Sequence, residues 1–205
     1  MIRLDSVSLS FGDKKIIDNL SIDFERGKKY ALMGESGIGK TTILGVVSGL
    51  LKVEKGIVTR DSDKISYVFQ DARLFPWLTV LENVTLVSND GKGKHDERAL
   101  EILGKLGLSD ALNMYPEELS GGMKQRVSIA RALMYEHEIL LLDEPFRALD
   151  ETTAKQVAEY LFSVEKDKTV IFVTHDKNDI SYADYVVNLS TSPISFADLE
   201  KSSIN

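Results

Sequence analysis

The chain has 205 residues, enough for one substantial core and too few for two ordinary domains. Hydrophobic residues make up 43% and charged residues 28%, a globular composition, while the formal net charge of −7 argues against a basic nucleic-acid-binding face. There is no cysteine, which excludes disulfides, thiolate metal sites and cysteine nucleophiles and fits a cytoplasmic protein; no apolar run approaches a membrane span, and Met1-Ile2-Arg3-Leu4-Asp5 does not open a signal peptide.

Read in chain order, the first part alternates as β structure does. Leu4, Val7, Leu9 and Phe11 are followed by Ile16-Ile17 and by Leu20, Ile22 and Phe24, with turn signals at Gly12-Asp13 and Arg26-Gly27. Lys29–Met33 predicts a strand and Thr42–Val47 the continuation of a helix, with a glycine-rich loop between them. Lys64–Phe69 predicts another strand, ending at Gln70. From Asp71 to Glu136 the pattern is mostly helical: Leu100, Leu103, Leu106 and Leu108 lie near helical spacing, as do Val127, Ala130, Leu133 and Met134, and Gly91-Lys92-Gly93-Lys94 reads as a polar loop. Strand signals return at Glu138–Leu142, Thr169–Thr174 and Tyr185–Leu189. These runs are apolar almost throughout, as parallel strands covered on both faces are. Thr152–Val164 predicts a crossover helix. The expected fold class is α/β, with a mostly parallel sheet, an N-terminal antiparallel β region and an inserted helical subdomain.

Three motifs carry chemistry. The loop Gly34-Glu35-Ser36-Gly37-Ile38-Gly39-Lys40-Thr41 has the G-x-x-x-x-G-K-[ST] form of a phosphate-binding loop between strand and helix. Its glycines let successive backbone N–H groups turn toward phosphate oxygens, and the helix that starts there adds the positive end of its dipole. Lys40 then reaches the β- and γ-phosphates and the Thr41 hydroxyl ligates Mg²⁺. The run Ile139–Leu142 ends in Asp143-Glu144. In an open α/β sheet this end of a strand lies at the ligand crevice, which puts Asp143 where it holds Mg²⁺ and Glu144 where it polarises an attacking water. Alone, the pair reads better as an acidic turn after a core strand; beside the phosphate loop it reads as catalytic. The third motif, Leu119-Ser120-Gly121-Gly122-Met123-Lys124-Gln125-Arg126, places a serine N-cap and two glycines before a helix, a second anion-binding helix end if not simply a capped helix.

Over essentially its full length the chain resembles the nucleotide-binding subunits of ATP-binding cassette (ABC) transporters. Gly34–Thr41 resembles their Walker A loop, Gln70 the Q-loop, Leu119–Gln125 the signature motif, Leu140–Glu144 the Walker B motif, Ala148-Leu149-Asp150 the D-loop and His175 the switch histidine. The resemblance implies a P-loop NTPase core and a single ABC ATPase domain over 1–205, with 1–70 and 137–205 as the nucleotide-binding core and 71–136 as the helical subdomain. It implies an ATPase that binds ATP and Mg²⁺ in a head-to-tail homodimer, in which Ser120, Gly121 and Gly122 act on the partner's ATP and Asp150 helps organise the facing subunit. It assigns Phe11 to the adenine, Thr42 to the α-phosphate, Gln70 to Mg²⁺ or the lytic water, and His175 to the γ-phosphate. Without the resemblance, Phe11 reads as a strand-end core residue, Gln70 as a polar strand end and His175 as structural. One departure stands out: Arg147 occupies a place where the family often has a small residue, and an added cation there can pair with an acid or perturb water placement.

Phe75, Trp77 and Leu78 cluster around Pro76 just after Gln70. They either pack the helical insertion or form an apolar groove for a helix of a membrane partner. The Pro-Trp-Leu-Thr-Val pattern, with Ser-Gly-Gly-Met in the signature, is similar to ATPases of nitrate, sulfonate and taurine importers. That resemblance implies an integral membrane permease as partner, a solute-binding protein in the same system, no nucleic acid, and a cytoplasmic location on the inner face of the cell membrane through the permease. The competing readings are the ATPase of a non-transporting membrane complex, a soluble cassette ATPase, and a small-molecule kinase. Asp143-Glu144 and the second phosphate-binding helix end disfavour the kinase.

Overall fold

The computed structural model describes residues 1–88, 97–190, 192–195 and 199–203, with side chains as far as 195; the anticipated Gly91–Lys94 loop lies outside them. The chain divides into two compact units. One comprises Met1–Ile65, Glu138–Asp143 and Asp167–Asn205, the other Ser66–His137 and Glu144–Lys166. The second unit therefore takes in Glu144–Lys166, which the sequence division left with 137–205.

In the first unit, β1 (Ile2–Phe11) and β2 (Lys14–Phe24) form an antiparallel hairpin closed by Gly12 at φ +58°. After β3 (Lys29–Gly34) and α1 (Lys40–Ser48), β4 (Lys55–Arg60) pairs with the other edge of β1, giving the order β2-β1-β4. Burial follows the apolar positions: Ile2, Leu4, Val7 and Leu9 of β1 and Ile17, Leu20, Ile22 and Phe24 of β2 are buried, with register shifts after Leu4 that interrupt strict alternation. β5 (Ile65–Val68) begins in this unit and ends in the other.

The second sheet of this unit contains β6 (Ile139–Asp143), β7 (Thr169–Val173), β3, β8 (Tyr185–Leu189) and β9 (Leu199–Ser203), in the order β6-β7-β3-β8-β9. The first four are parallel and β9 runs antiparallel to β8. Every residue of β6 and β7 is buried, which explains their uninterrupted apolar sequences. Leu32 of β3 pairs with Val173 of β7, and Val173 with Asp143 of β6, so the C-terminal ends of these three strands are level. Tyr30 anchors the middle of the sheet. Phe24 meets it edge-on at 5.0 Å between ring centroids, Tyr185 stacks on it at 5.1 Å, and its hydroxyl accepts the Glu25 N–H at 2.9 Å. Burial raises the Tyr30 phenol to about 12.

The second unit is helical: α2 (Val80–Thr85), α3 (Glu97–Lys105), α4 (Gly121–Met134) and α5 (Glu151–Val164). A capping box starts α2, the Thr79 side chain accepting the Glu82 N–H while the Glu82 carboxylate accepts the Thr79 N–H. A Schellman motif ends α3: Gly107, at φ +67°, donates to the Gly104 carbonyl, and Leu108 donates to the Leu103 carbonyl. Leu103, Leu106 and Leu108 are buried, but Leu106 and Leu108 belong to this terminus and Leu100 is exposed, so the expected helical run is shorter than its leucine spacing. His137 and Glu165 form a buried pair. Nδ1 donates to the Tyr135 carbonyl at 2.7 Å, and Nε2 lies 3.1 Å from Glu165 Oε2. Among the described residues no helix is long and apolar enough to cross a membrane.

Candidate functional site

The phosphate-loop candidate leaves β3 at Gly34 and enters α1 at Lys40. A Cβ on Gly34 (φ +150°) would meet the Leu189 carbonyl oxygen at 2.6 Å, and one on Gly39 (φ +121°) would meet the Ile16 side chain at 2.8 Å. Both close approaches demand glycine, so the spacing of the motif has a steric cause. Gly39 caps α1 without a side-chain hydrogen bond, so the capping residue leaves the first-turn amides to other acceptors. Ile38 is buried beneath the loop, whereas Glu35, Ser36, Gly37 and Thr41 are exposed and Thr42 is half-buried. The Lys40 side chain is buried, and its Nζ donates to the carbonyls of Gly34 at 2.7 Å and Glu35 at 2.8 Å. The cation thus lies across the loop's own backbone.

Two other candidates share this end of the sheet. Asp143 closes β6 level with Val173, and its carboxylate is buried. His175 lies two residues beyond β7 and is exposed. Thr174, between them, is fixed: its N–H donates to the Leu32 carbonyl, its hydroxyl donates to Asp179 Oδ2 at 2.6 Å, and its oxygen accepts the Asp176 N–H at 3.0 Å. Burial pushes the Asp179 carboxyl up, opposed by the Thr174 hydroxyl, reinforced by Asp176 and opposed again by His175. Phe11, at the end of β1, is 53% exposed, so the core-packing reading fails and its ring is open to a planar ligand.

The remaining candidates belong to the second unit. Gln70 is exposed two residues past the end of β5, so it is not itself a strand residue. Ser120 caps α4 as expected, its Oγ accepting the Met123 N–H at 3.2 Å. Gly121 has open space around it, while a Cβ on Gly122 would meet the Ala148 carbonyl oxygen at 3.0 Å. Asp150 caps α5, its Oδ1 accepting the Thr153 N–H at 3.0 Å, and that bond holds its carboxyl below the usual range. This cap is a structural duty the sequence reading missed. Glu144 adopts φ +46°, a conformation a non-glycine residue takes at a cost. Its Oε2 accepts from Arg147 Nη1 at 3.0 Å, so Arg147 does pair with an acid, and the acid is Glu144.

Sequence reasoning also missed Asn83. It is fully buried, its Oδ1 accepts the Phe75 N–H at 2.8 Å, and its Nδ2 donates to the carbonyls of Phe75, Leu78 and Thr79 at 3.0–3.1 Å. It thereby fixes the turn that carries Pro76 and Trp77. The signal was legible: Thr79-x-x-Glu82 is a capping-box pattern that places Asn83 on the first helical turn, facing back toward that turn. Trp77 is 69% exposed with its ring 5.5 Å from Phe75, so these aromatics do not simply pack the insertion. Arg131 of α4 supports the same segment by donating to the carbonyls of Ala72 and Arg73 while lying 6.0 Å from the Phe75 ring; burial draws its guanidinium downward.

Residues 17–147 match the family model described as ABC transporter. HrtA of Staphylococcus aureus (strain MRSA252), provisionally named a hemin import ATP-binding protein, is 37% identical over 202 residues, covering 89% of this chain and 91% of HrtA. The aliphatic sulfonates import ATP-binding protein SsuB 1 of Mesorhizobium japonicum is 38% identical over 205 residues, covering 95% of this chain and 77% of SsuB 1. Among solved structures, the dimeric MJ0796, a bacterial ABC transporter cassette, superposes with a TM-score of 0.89 at 31% identity, covering 100% of this chain and 99% of that one. With a phosphate loop, an acid and a histidine at one end of a parallel sheet, and with these likenesses over most of its length, the chain belongs to the ABC transporter family as one of its ATP-hydrolysing cassettes.

Proposed function

We propose that this cassette pairs head-to-tail with a second copy around two ATP molecules and drives an importer through an integral membrane permease. The observation that carries the membrane reading is Trp77, a large aromatic held in solvent beside Phe75 on a turn that buried Asn83 fixes. Two neighbouring exposed aromatics suit a docking surface, where such rings contribute much of the binding energy. In this reading the permease holds the cassette at the inner face of the cell membrane, and a solute-binding protein belongs to the same system. The solute class we favour is nitrate, sulfonate or taurine, supported by the Pro76-Trp77-Leu78-Thr79-Val80 pattern and by the likeness to SsuB 1.

The residues divide the work as follows. Phe11 stacks on adenine, and the backbone of Gly34–Gly39 together with Lys40 and Thr42 binds the phosphates. Lys40 exchanges its loop carbonyls for phosphate oxygens, a trade between acceptors that keeps the buried cation paired throughout. The Thr41 hydroxyl and the Asp143 carboxylate would hold Mg²⁺, and oxygen donors of this kind suit that hard cation, whose contribution is to offset phosphate charge. Gln70 takes the role on Mg²⁺ or the lytic water that the family resemblance implies. Glu144 accepts the proton of the attacking water while His175 binds the γ-phosphate. Ser120, Gly121 and Gly122 contact ATP held by the other copy, and Asp150 borders the facing subunit.

Glu144→Gln tests this reading. It keeps the shape of the side chain and removes the proton acceptor, so ATP binding should persist while hydrolysis falls by at least 100-fold, within the usual range for loss of a general base. With ATP retained, light scattering should show a dimer on Mg-ATP and a monomer without it, because the net-negative chains close only where Mg²⁺, Lys40 and the two helix ends offset the charge that the seam gathers. Undiminished turnover, or a dimer indifferent to nucleotide, would refute it. Growth of a deletion strain on an alkanesulfonate as sole sulfur source tests the solute class; normal growth there removes sulfonate.

A further inference from the structure

We infer that Arg147 is a positioning residue that restrains the Glu144 carboxylate and slows turnover of the cassette. The inference rests on the reading of Glu144 as the group that takes the water's proton. Glu144 and Arg147 are the two ends of one tight turn: the Arg147 N–H donates to the Glu144 carbonyl at 3.3 Å, and Arg147 Nη1 donates to Glu144 Oε2 at 3.0 Å. The two residues between them are anchored from below. Pro145 and Phe146 are buried, and the Phe146 ring meets Phe162 of α5 edge-on at 6.3 Å. With those two positions anchored, and Glu144 at φ +46°, the turn brings the first and fourth residues close enough for their side chains to meet. The backbone thus favours the pair.

The two partners are unequally placed. The Glu144 side chain is 14% exposed and that of Arg147 60%, so the cation reaches the carboxylate from solvent. An oxygen that accepts from a guanidinium N–H is less open to an O–H of water, so Arg147 competes for the proton acceptor itself. Its exposure limits the strength of the restraint. A partly solvated pair of this kind biases a side-chain equilibrium only a few-fold, so Arg147 tunes the rate and does not block it.

Steady-state ATPase measurements on the full chain test this with Mg-ATP as the probe. Arg147→Ser should raise kcat about three-fold, the scale of a weak ion pair, and leave KM for ATP unchanged. Arg147→Gln, which keeps a polar side chain without the charge, should do the same, whereas Arg147→Lys, which keeps the charge, should stay at the parent rate. If neither neutral variant raises kcat, or if the lysine variant rises as far as they do, the restraint is wrong. Glu144→Gln, run in parallel, separates the two failures. An inactive Glu144→Gln with an unchanged Arg147→Ser overturns only the role of Arg147, whereas an active Glu144→Gln removes the premise about Glu144 and the inference with it.

Discussion

Asp179 is a carboxylate that folding makes harder to ionise, and it borders the segment bearing His175. Because its folded pKa is raised, the native chain holds more protons than the unfolded one between the ordinary aspartate value, about 3.9, and the raised value. Stability from this group is therefore fully present below the ordinary value and is lost as pH rises through the raised one. Asp179→Asn keeps an acceptor for the Thr174 hydroxyl and removes the ionisation. Urea unfolding should show the variant gaining on the parent at pH 7, with the gain shrinking as the pH approaches 3; a difference that stays constant with pH would remove the account. Residue roles of this kind were only partly legible in the sequence. Gly34 and Gly39 could be read because a motif names them and sterics requires them. The role of Asp150 as a cap and the choice of Glu144 as the partner of Arg147 could not, since both depend on where a turn delivers a side chain.

At the scale of elements, the turn bearing Trp77 depends on α2 through one buried amide. Asn83→Ala would strip the Phe75 N–H and the Leu78 carbonyl of their Asn83 partners, and an unmet buried polar group costs about 1–3 kcal/mol. We expect a loss of about 2 kcal/mol in urea unfolding, with the ATP affinity of the isolated chain unchanged; a loss under 0.5 kcal/mol would mean water replaces the amide freely. Elements with strong periodicity or flanking punctuation were legible: the β1–β2 hairpin, β6, β7, β8, α4 and α5 all lie close to where apolar spacing and turn residues put them. β9 was not. Its Leu199-Glu200-Lys201-Ser202-Ser203 sequence carries no apolar run, and it is strand by virtue of pairing with β8. The leucine spacing beyond Lys105 misled in the opposite sense, because Gly107 turns the chain while the leucines go on packing.

For the whole molecule, the α/β class followed from the succession of strands and helices, but the neighbours of β3 did not. β7 and β8 lie more than a hundred residues away in sequence, and nothing local announces which strand will flank which. That pairing brings Gly34, Asp143 and His175 to one end of a sheet. The proposed membrane partner belongs to the same scale. Trp77→Ala should cut co-purification with the permease at least ten-fold, given the roughly 2 kcal/mol that a central aromatic often contributes, while the free chain keeps its melting temperature and ATP affinity. Full assembly of the variant would move the docking surface elsewhere. The exposure of this indole has an optical consequence as well. Trp77 is the only tryptophan, so the emission of the folded cassette already resembles that of indole in water. Unfolding will barely shift that emission, whereas a partner that covers the ring will move it to the blue: the chain carries an unlabelled reporter that is nearly blind to its own folding and sensitive to company.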